Sequence, residues 1–305
     1  MAKITIIGAG NVGSQVAFCT ALKNLGDVVL LDITDGLAKG KALDILSSMP
    51  IAKRDIKIIG TESYDDTKDS DIVIITAGVV RKPGMSRDNL IKTNAKIMSS
   101  IIPQILEHSP NSILIIVSNP LDAMVQLAYK LSGFPKERVM GMAGVLDSSR
   151  FRTFIAEELN VSVKDIETWV LGGHGDLMVP LIHHSKVKDQ ALSKIMDEEK
   201  LNEVIKRVQN GGSEIVQLLK TGSAFFAPGI ATVDMIESIL KDEKRILPST
   251  VLLEGEYGVN GLFVGAPARL GRKGVEEVIE FELTDKEKEM FQKSVEHIKS
   301  LIEKI

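Results

Sequence analysis

One cysteine, Cys19, stands in 305 residues, so no disulfide can form within the chain and an oxidising compartment gains no support. Long apolar runs are missing. Stretches such as Ser112 to Val117 fall far short of the roughly 20 residues that a helix needs to span a bilayer. There is no long basic tract: 37 Lys and Arg interleave with 41 Asp and Glu to a formal charge of −4, which removes the electrostatic footprint of a nucleic-acid binder. No internal repeat, low-complexity segment or Gly/Ser linker interrupts the pattern, so the join near residue 145 is expected to be a packed interface. The opening residues, MAKITIIGAG, enter a strand pattern with no cleavable apolar segment, and the expected location is the cytoplasm.

Apolar residues make up 44% of the chain, enough for a sizeable core that divides into two lobes at this length. From residue 1 to 145, short β-branched runs alternate with longer helical patterns. The runs are Ile4–Ile7, Val28–Leu31, Ile56–Ile59, Asp71–Thr76, Ile113–Val117 and a weaker one near Val139. Parallel strands are covered on both faces and read as continuous apolar stretches, as Ile72 to Ile75 and Ile113 to Ile116 do. The expected fold class is α/β: a Rossmann doubly wound parallel sheet over 1–145, followed by a mixed α+β catalytic domain over 146–305. In the second part a hairpin is expected around Glu254–Asn260. A capping box, Thr284-Asp285-Lys286-Glu287, opens a final helix with an apolar stripe at 291, 295, 298, 302 and 305. His297 on that helix reads as solvated.

Gly8-Ala9-Gly10-Asn11-Val12-Gly13 directly follows the first strand and opens a helical pattern from Asn11 to Asn24. Gly8 suits a tight turn, Gly10 a close approach of a pyrophosphate, and Gly13 close packing of helix on strand. The helix N-terminus adds free N–H groups and a positive dipole end. Asp32 lies 19 positions after Gly13, at the end of the second strand, where a carboxylate accepts hydrogen bonds from a ribose diol and repels a 2′-phosphate. NAD is therefore favoured over NADP. Thr76-Ala77-Gly78 and Ser118-Asn119-Pro120 end the fourth and fifth strands on the edge where such sheets bind ligands.

Hydride transfer to a ketone needs a proton donor, a positive group at the carbonyl, an anchor for a substrate carboxylate, and exclusion of water. His174, among glycines in Leu171-Gly172-Gly173-His174-Gly175-Asp176 after an expected strand Glu167–Leu171, titrates near neutrality and suits the first role. Asp147-Ser148-Ser149-Arg150 opens a helix with a carboxylate and a guanidinium on one face. Asp147 is placed to orient the imidazole, and Arg150 to grip a carboxylate with two parallel hydrogen bonds. Arg81-Lys82-Pro83-Gly84-Met85-Ser86-Arg87 reads as a glycine-hinged lid, with Arg87 at the carbonyl. Each of these taken singly also has a plain structural reading, as a surface histidine, a helix cap with its ion pair, or a solvated basic loop. His183-His184 has no functional account; neighbours on a strand point to opposite faces, so no metal site is expected.

In order and spacing, the glycine motif, the loop at 81–87, Ser118-Asn119-Pro120-Leu121-Asp122, Gly144-Val145-Leu146-Asp147-Ser148-Ser149-Arg150 and Gly172-Gly173-His174-Gly175-Asp176 resemble the lactate/malate dehydrogenase family over nearly the whole chain. The resemblance implies His174 as acid/base, Asp147 as its partner, Arg87 as carbonyl polariser, and Arg150, Arg87 and Asn119 as substrate contacts. It further implies that the NAD contacts include Gly8, Gly10, Asn11, Val12, Gly13, Asp32, Thr76, Ala77, Gly78, Asn94, Val117 and Asn119. Arg81 stands where lactate enzymes carry glutamine, which points to a dicarboxylate substrate, and Met85 and Ala224 agree with it. Three alternatives remain open: a lactate dehydrogenase or an enzyme for another 2-hydroxy acid, a non-catalytic NAD-binding or sensor module, and a purely structural assembly protein. Family members are homodimers or homotetramers. The helix 36–48, with Leu37, Ala38, Leu43, Ile45 and Leu46, has apolar surface to spare for a subunit contact.

Overall fold

The structure, a computed structural model, describes residues 1–79 and 87–305, with the backbone alone at Arg87. Arg81 and Met85 lie outside the described residues. The chain begins with β1 (Lys3–Ile7), α1 (Asn11–Leu22), β2 (Asp27–Leu31), α2 (Leu37–Ser48), β3 (Ile58–Thr61) and β4 (Ile72–Ile75). It continues through α3 (Arg87–His108), β5 (Ile113–Ile116), α4 (Leu121–Ser132) and β6 (Val139–Gly141). These six strands are parallel and lie in the order β3-β2-β1-β4-β5-β6.

The period of two in each strand explains why both faces are apolar. Ile4, Ile6, Val28, Leu30, Ile72, Ile74, Ile113 and Ile115 join one core cluster. Their neighbours Ile7, Leu31, Val73, Ile75, Leu114 and Ile116 join the other, with Ile91, Met98, Ile101, Ile102 and Ile105 of α3 packed over them. Chain order reverses between β1 and β4, and the carboxyl ends there form the crevice in which doubly wound sheets take ligands.

After β6 come α5 (Gly144–Leu159) and five two-residue strands: β7 (Ile166–Glu167), β8 (Val170–Leu171), β9 (Val179–Pro180), β10 (Lys186–Val187) and β11 (Gln190–Ala191). Then follow α6 (Leu192–Ile195), α7 (Glu198–Leu219), α8 (Phe226–Leu240), β12 (Arg245–Glu254), β13 (Asn260–Gly271), β14 (Gly274–Val278) and α9 (Asp285–Ile302). The hairpin expected at 254–260 joins β12 to β13. β12 also pairs antiparallel with β6 at Thr250 and Gly141, so three antiparallel strands continue the parallel sheet to nine strands. Among the described residues no helix is long and apolar enough to cross a membrane.

Four expectations need correction. The strand Glu167–Leu171 is two, β7 and β8, in different sheets. Between them, the buried Thr168 hydroxyl donates to Ser148 O at 2.8 Å, which turns the chain. His183 and His184 sit in a turn, not on a strand: His184 stacks on Phe281 at 4.7 Å, and His183 lies 3.8 Å from Glu287. They face separate partners, and among the described residues no metal-binding cluster forms. The capping box forms as read, but α9 ends at Ile302 and leaves Ile305 exposed, outside the stripe. His297 is half-buried rather than fully solvated.

Gly13 shows how tightly the first turn is built. A Cβ there would stand 1.8 Å from Gly8 O and 2.8 Å from the Thr76 hydroxyl. Gly40, inside α2, would meet nothing within 4 Å. Gly13→Ala is therefore expected to destabilise the fold by about 1–3 kcal/mol through overpacking. Gly40→Ala is expected to stabilise it by roughly 0.4–1 kcal/mol through the unfolded chain. Urea unfolding midpoints should move in opposite directions; a Gly13→Ala midpoint equal to wild type would show that helix and turn separate at no cost.

Candidate active site

The cofactor side is built at the carboxyl ends of β1, β2, β4 and β5. Gly10 precedes α1 with no side-chain cap, and the first bond of the helix runs from Ser14 N–H to Gly10 O at 2.9 Å. The amides of Asn11, Val12 and Gly13 thus form the orphan donors of a helix start. A Cβ at Gly10 would meet no atom within 4 Å, so the backbone is open on the side where a pyrophosphate approaches. Asp32 accepts from Ala9 N–H at 2.7 Å and from Thr34 N–H at 2.9 Å, one bond on each oxygen. A carboxylate offers about four acceptor positions, so capacity for a ribose diol remains. Open glycine, uncapped helix and half-satisfied acid fit a dinucleotide.

Two residues expected at the cofactor also bond to the protein. Thr76 donates to Gly8 O at 3.0 Å and supports the glycine turn from beneath. Asn94, buried on α3, accepts from Val79 N–H at 2.8 Å and donates to Val79 O at 3.2 Å and Asn119 O at 2.6 Å. It clamps the segments after β4 and β5 to each other, which spends its carboxamide on backbone. The Ser118 hydroxyl donates to Ala77 O at 2.6 Å and adds a second tie. Asn119 itself is exposed on this edge.

The chemical centre lies beside it. Asp147, in the first turn of α5, has a side chain only 2% exposed. Its Oδ2 accepts from His174 Nδ1 at 2.8 Å, and its Oδ1 lies 3.3 Å from Arg150 Nη1. A carboxylate can only accept, so Nδ1 carries the proton in that bond, and Nε2 is the ring atom left to face a substrate. Burial is the largest influence on the imidazole and disfavours its charge, as does Arg150. The Asp147 carboxylate, by charge and hydrogen bond, together with Asp122, outweighs them, so His174 titrates above its ordinary 6.5.

Arg150 packs between α5 and α7. Its buried Nε has no hydrogen-bond partner among the described residues, which is unusual for so strong a donor and fits a site completed by an anion. Arg87, the expected polariser, starts α3, but its side chain lies outside the described residues, as does Arg81.

Some of the machinery was not read from the sequence. Gly172 bonds reciprocally with Gly265 of β13, and Gly173 N–H donates to Ser294 on α9 at 2.8 Å, so the histidine loop is pinned from both sides. Gly211 and Gly212 lie mid-helix in α7 against Arg150. Paired glycines in a helix interior are a readable signal, because they cost roughly 1 kcal/mol each relative to alanine and call for a packing reason. A cavity of about 480 Å³ lined by Asp69, Asp71, Ser109 and Arg138 lies at the amino ends of β4 and β5, the opposite edge.

A Cβ at Gly211 would stand 3.2 Å from Arg150 Cδ. Gly211→Ala is expected to leave thermal stability unchanged or raised, while KM for an anionic substrate rises several-fold as the guanidinium shifts. Equal KM in both proteins would remove Gly211 from the anchor.

Comparisons with known proteins identify the family. Residues 2–141 match the family model for the lactate/malate dehydrogenase NAD-binding domain, and residues 144–305 match that for the lactate/malate dehydrogenase alpha/beta C-terminal domain. A protein of Bacillus israeli named malate dehydrogenase is 53% identical over 98% of this chain and 97% of its own. Among solved structures, malate dehydrogenase of Cryptosporidium parvum superposes with a TM-score of 0.96 at 45% identity, covering 99% of this chain and 98% of its own. Lactate dehydrogenase of the same organism, complexed with lactic acid and nicotinamide adenine dinucleotide, also reaches 0.96, at 40% identity over 99% of this chain and 97% of its own. The chain is an NAD-dependent oxidoreductase and belongs to the lactate/malate dehydrogenase family.

Proposed function

We propose that this protein is an NAD-dependent malate dehydrogenase that interconverts (S)-malate and oxaloacetate. The observation that carries the reading is the buried Asp147 carboxylate holding His174 at 2.8 Å beside an arginine whose Nε lacks a partner. A dinucleotide held by the glycine turn at 8–13 and Asp32 would supply the hydride chemistry in both directions. Arg150 grips the carboxylate next to the keto carbon, and Arg87 polarises the carbonyl. His174 gives its Nε2 proton to the carbonyl oxygen as negative charge develops there, and takes it back in the reverse reaction. Asp147 holds the imidazole ring in orientation and stabilises the imidazolium. Asn119, presented by the segment that Asn94 clamps, orients substrate and cofactor. Residues 1–145 form the cofactor half of this arrangement and 146–305 the substrate half.

Backbone likeness does not choose the substrate, since a lactate and a malate dehydrogenase superpose equally well. Arg81 supports the choice. It is placed to pair with the second carboxylate of oxaloacetate, and pyruvate would leave that charge unpaired in a closed site. Such a loss is worth about 2–5 kcal/mol, or on the order of a hundredfold to several thousandfold in specificity. A cytoplasmic homodimer or homotetramer fits the lone buried Cys19 and the leucines Leu43 and Leu46 of α2, which are 66% and 39% exposed.

The test is kcat/KM for NADH oxidation with oxaloacetate and with pyruvate, in wild type and Arg81→Gln. A strong oxaloacetate preference that collapses in the variant is expected. Pyruvate as the better wild-type substrate would overturn the malate assignment while leaving the dehydrogenase standing.

A further inference from the structure

Asp122 is a buried carboxylate that the mechanism above does not use. It lies in the first turn of α4, three residues after Asn119, and is 4% exposed. Its Oδ2 accepts from the backbone N–H of His174 at 3.0 Å, and its Oδ1 accepts from the Thr250 hydroxyl on β12 at 3.2 Å. One side chain thus joins the Asn119 segment, the histidine loop and the long antiparallel strand. It also limits the loop from behind, since a Cβ at Gly173 would stand 3.2 Å from Asp122 Oδ2.

Hydrogen bonding alone does not account for an acid at this position. An asparagine would accept from His174 N–H with its oxygen and donate to the Thr250 hydroxyl with its nitrogen, without burying a charge. A buried carboxylate costs several kcal/mol unless compensated. The compensation here comes from the α4 N-terminus, two hydrogen bonds, and the charge of the neighbouring imidazole when it is protonated. The groups facing His174 among the described residues are Asp147 and Arg150 on α5 and Asp122 on α4: two carboxylates against one guanidinium. Burial pushes Asp122 up to about 6, with the His174 N–H, the His174 charge and Thr250 pulling it back.

We infer that Asp122 is a positioning residue for the acid–base step, fixing the His174 backbone relative to the Asn119 segment and favouring the imidazolium with its charge. Asp147 acts on the ring directly and Asp122 acts from behind it. The catalytic meaning rests on His174 being the acid–base; the effect on its titration does not.

The test is therefore spectroscopic first. The chain has five histidines, and in labelled, NAD-bound enzyme the His174 ring resonance is the one that disappears in His174→Asn. Asp122→Asn is expected to lower the His174 midpoint by about half to one pH unit, within the usual range for a nearby charge. Thr250→Val, which keeps the shape but withdraws a donor from the carboxylate, is expected to move the midpoint the same way by less. The alkaline limb of kcat/KM for oxaloacetate reduction should follow, so that Asp122→Asn loses three- to tenfold more activity above that limb than below it.

A His174 midpoint unchanged in both variants overturns the inference and leaves Asp122 a structural hydrogen-bond acceptor. If Asp122→Asn fails to fold, Thr250→Val alone decides by the same criterion. Full activity in His174→Asn would instead overturn the proposed acid–base, a result distinguishable from any shift of the midpoint.

Discussion

The hydrogen bond from His174 Nδ1–H to Asp147, at 2.8 Å and nearly out of reach of water, is the interaction on which the site depends. A buried carboxylate needs a donor and a positive neighbour, and a buried imidazole needs a reason to stay charged; each supplies what the other lacks. The bond also fixes the tautomer, and so leaves Nε2 as the ring nitrogen without that partner. Arg150 stands at 3.3 Å from the same carboxylate, so the guanidinium and the imidazole share one reference point on the first turn of α5.

Everything else serves to bring that turn to the cofactor edge. Because β1, β4, β5 and β6 are parallel, the glycine turn, the segments at 76–78 and 117–119, and the start of α5 all emerge on one side of the sheet. The second half returns to the same place by another route. β12 pairs with β6, β13 holds Gly172 through Gly265, and α9 holds Gly173 through Ser294. The histidine loop is thereby fixed by residues distant in sequence, Gly173 and Ser294 being 121 positions apart. A flexible turn of glycines would otherwise have no fixed geometry.

That division explains what was legible in the sequence. The doubly wound half was readable because buried parallel strands leave continuous β-branched runs, and because Gly8, Gly10, Gly13 and Asp32 have a spacing set by one ligand. His174, Asp147 and Arg150 were readable as a set through the family resemblance, and the structure brings these three together. The break between β7 and β8 was hidden because Thr168 and Trp169 continue the β-propensity, while the partners made there, such as Ser148 for Thr168, lie elsewhere in the chain. The bonds by which Asn94 and Thr76 tie backbone segments together follow from groups that sequence cannot display. Asp122 stood within a quoted motif without a role, since its partners on β12 and the histidine loop lie 128 and 52 residues away.

The most direct measurement of the central claim is the pH dependence of kcat/KM for oxaloacetate reduction and for malate oxidation, in wild type and in Asp147→Asn. His174 must be protonated for reduction and neutral for oxidation, and its folded value is raised above 6.5. Reduction should therefore fall, and oxidation rise, as pH increases through a midpoint above 6.5 in the wild type. In Asp147→Asn both limbs should move to lower pH together, with reduction at neutral pH losing most. Limbs of the same sign, or midpoints that Asp147→Asn leaves in place, would contradict the claim that one buried carboxylate sets the proton on His174.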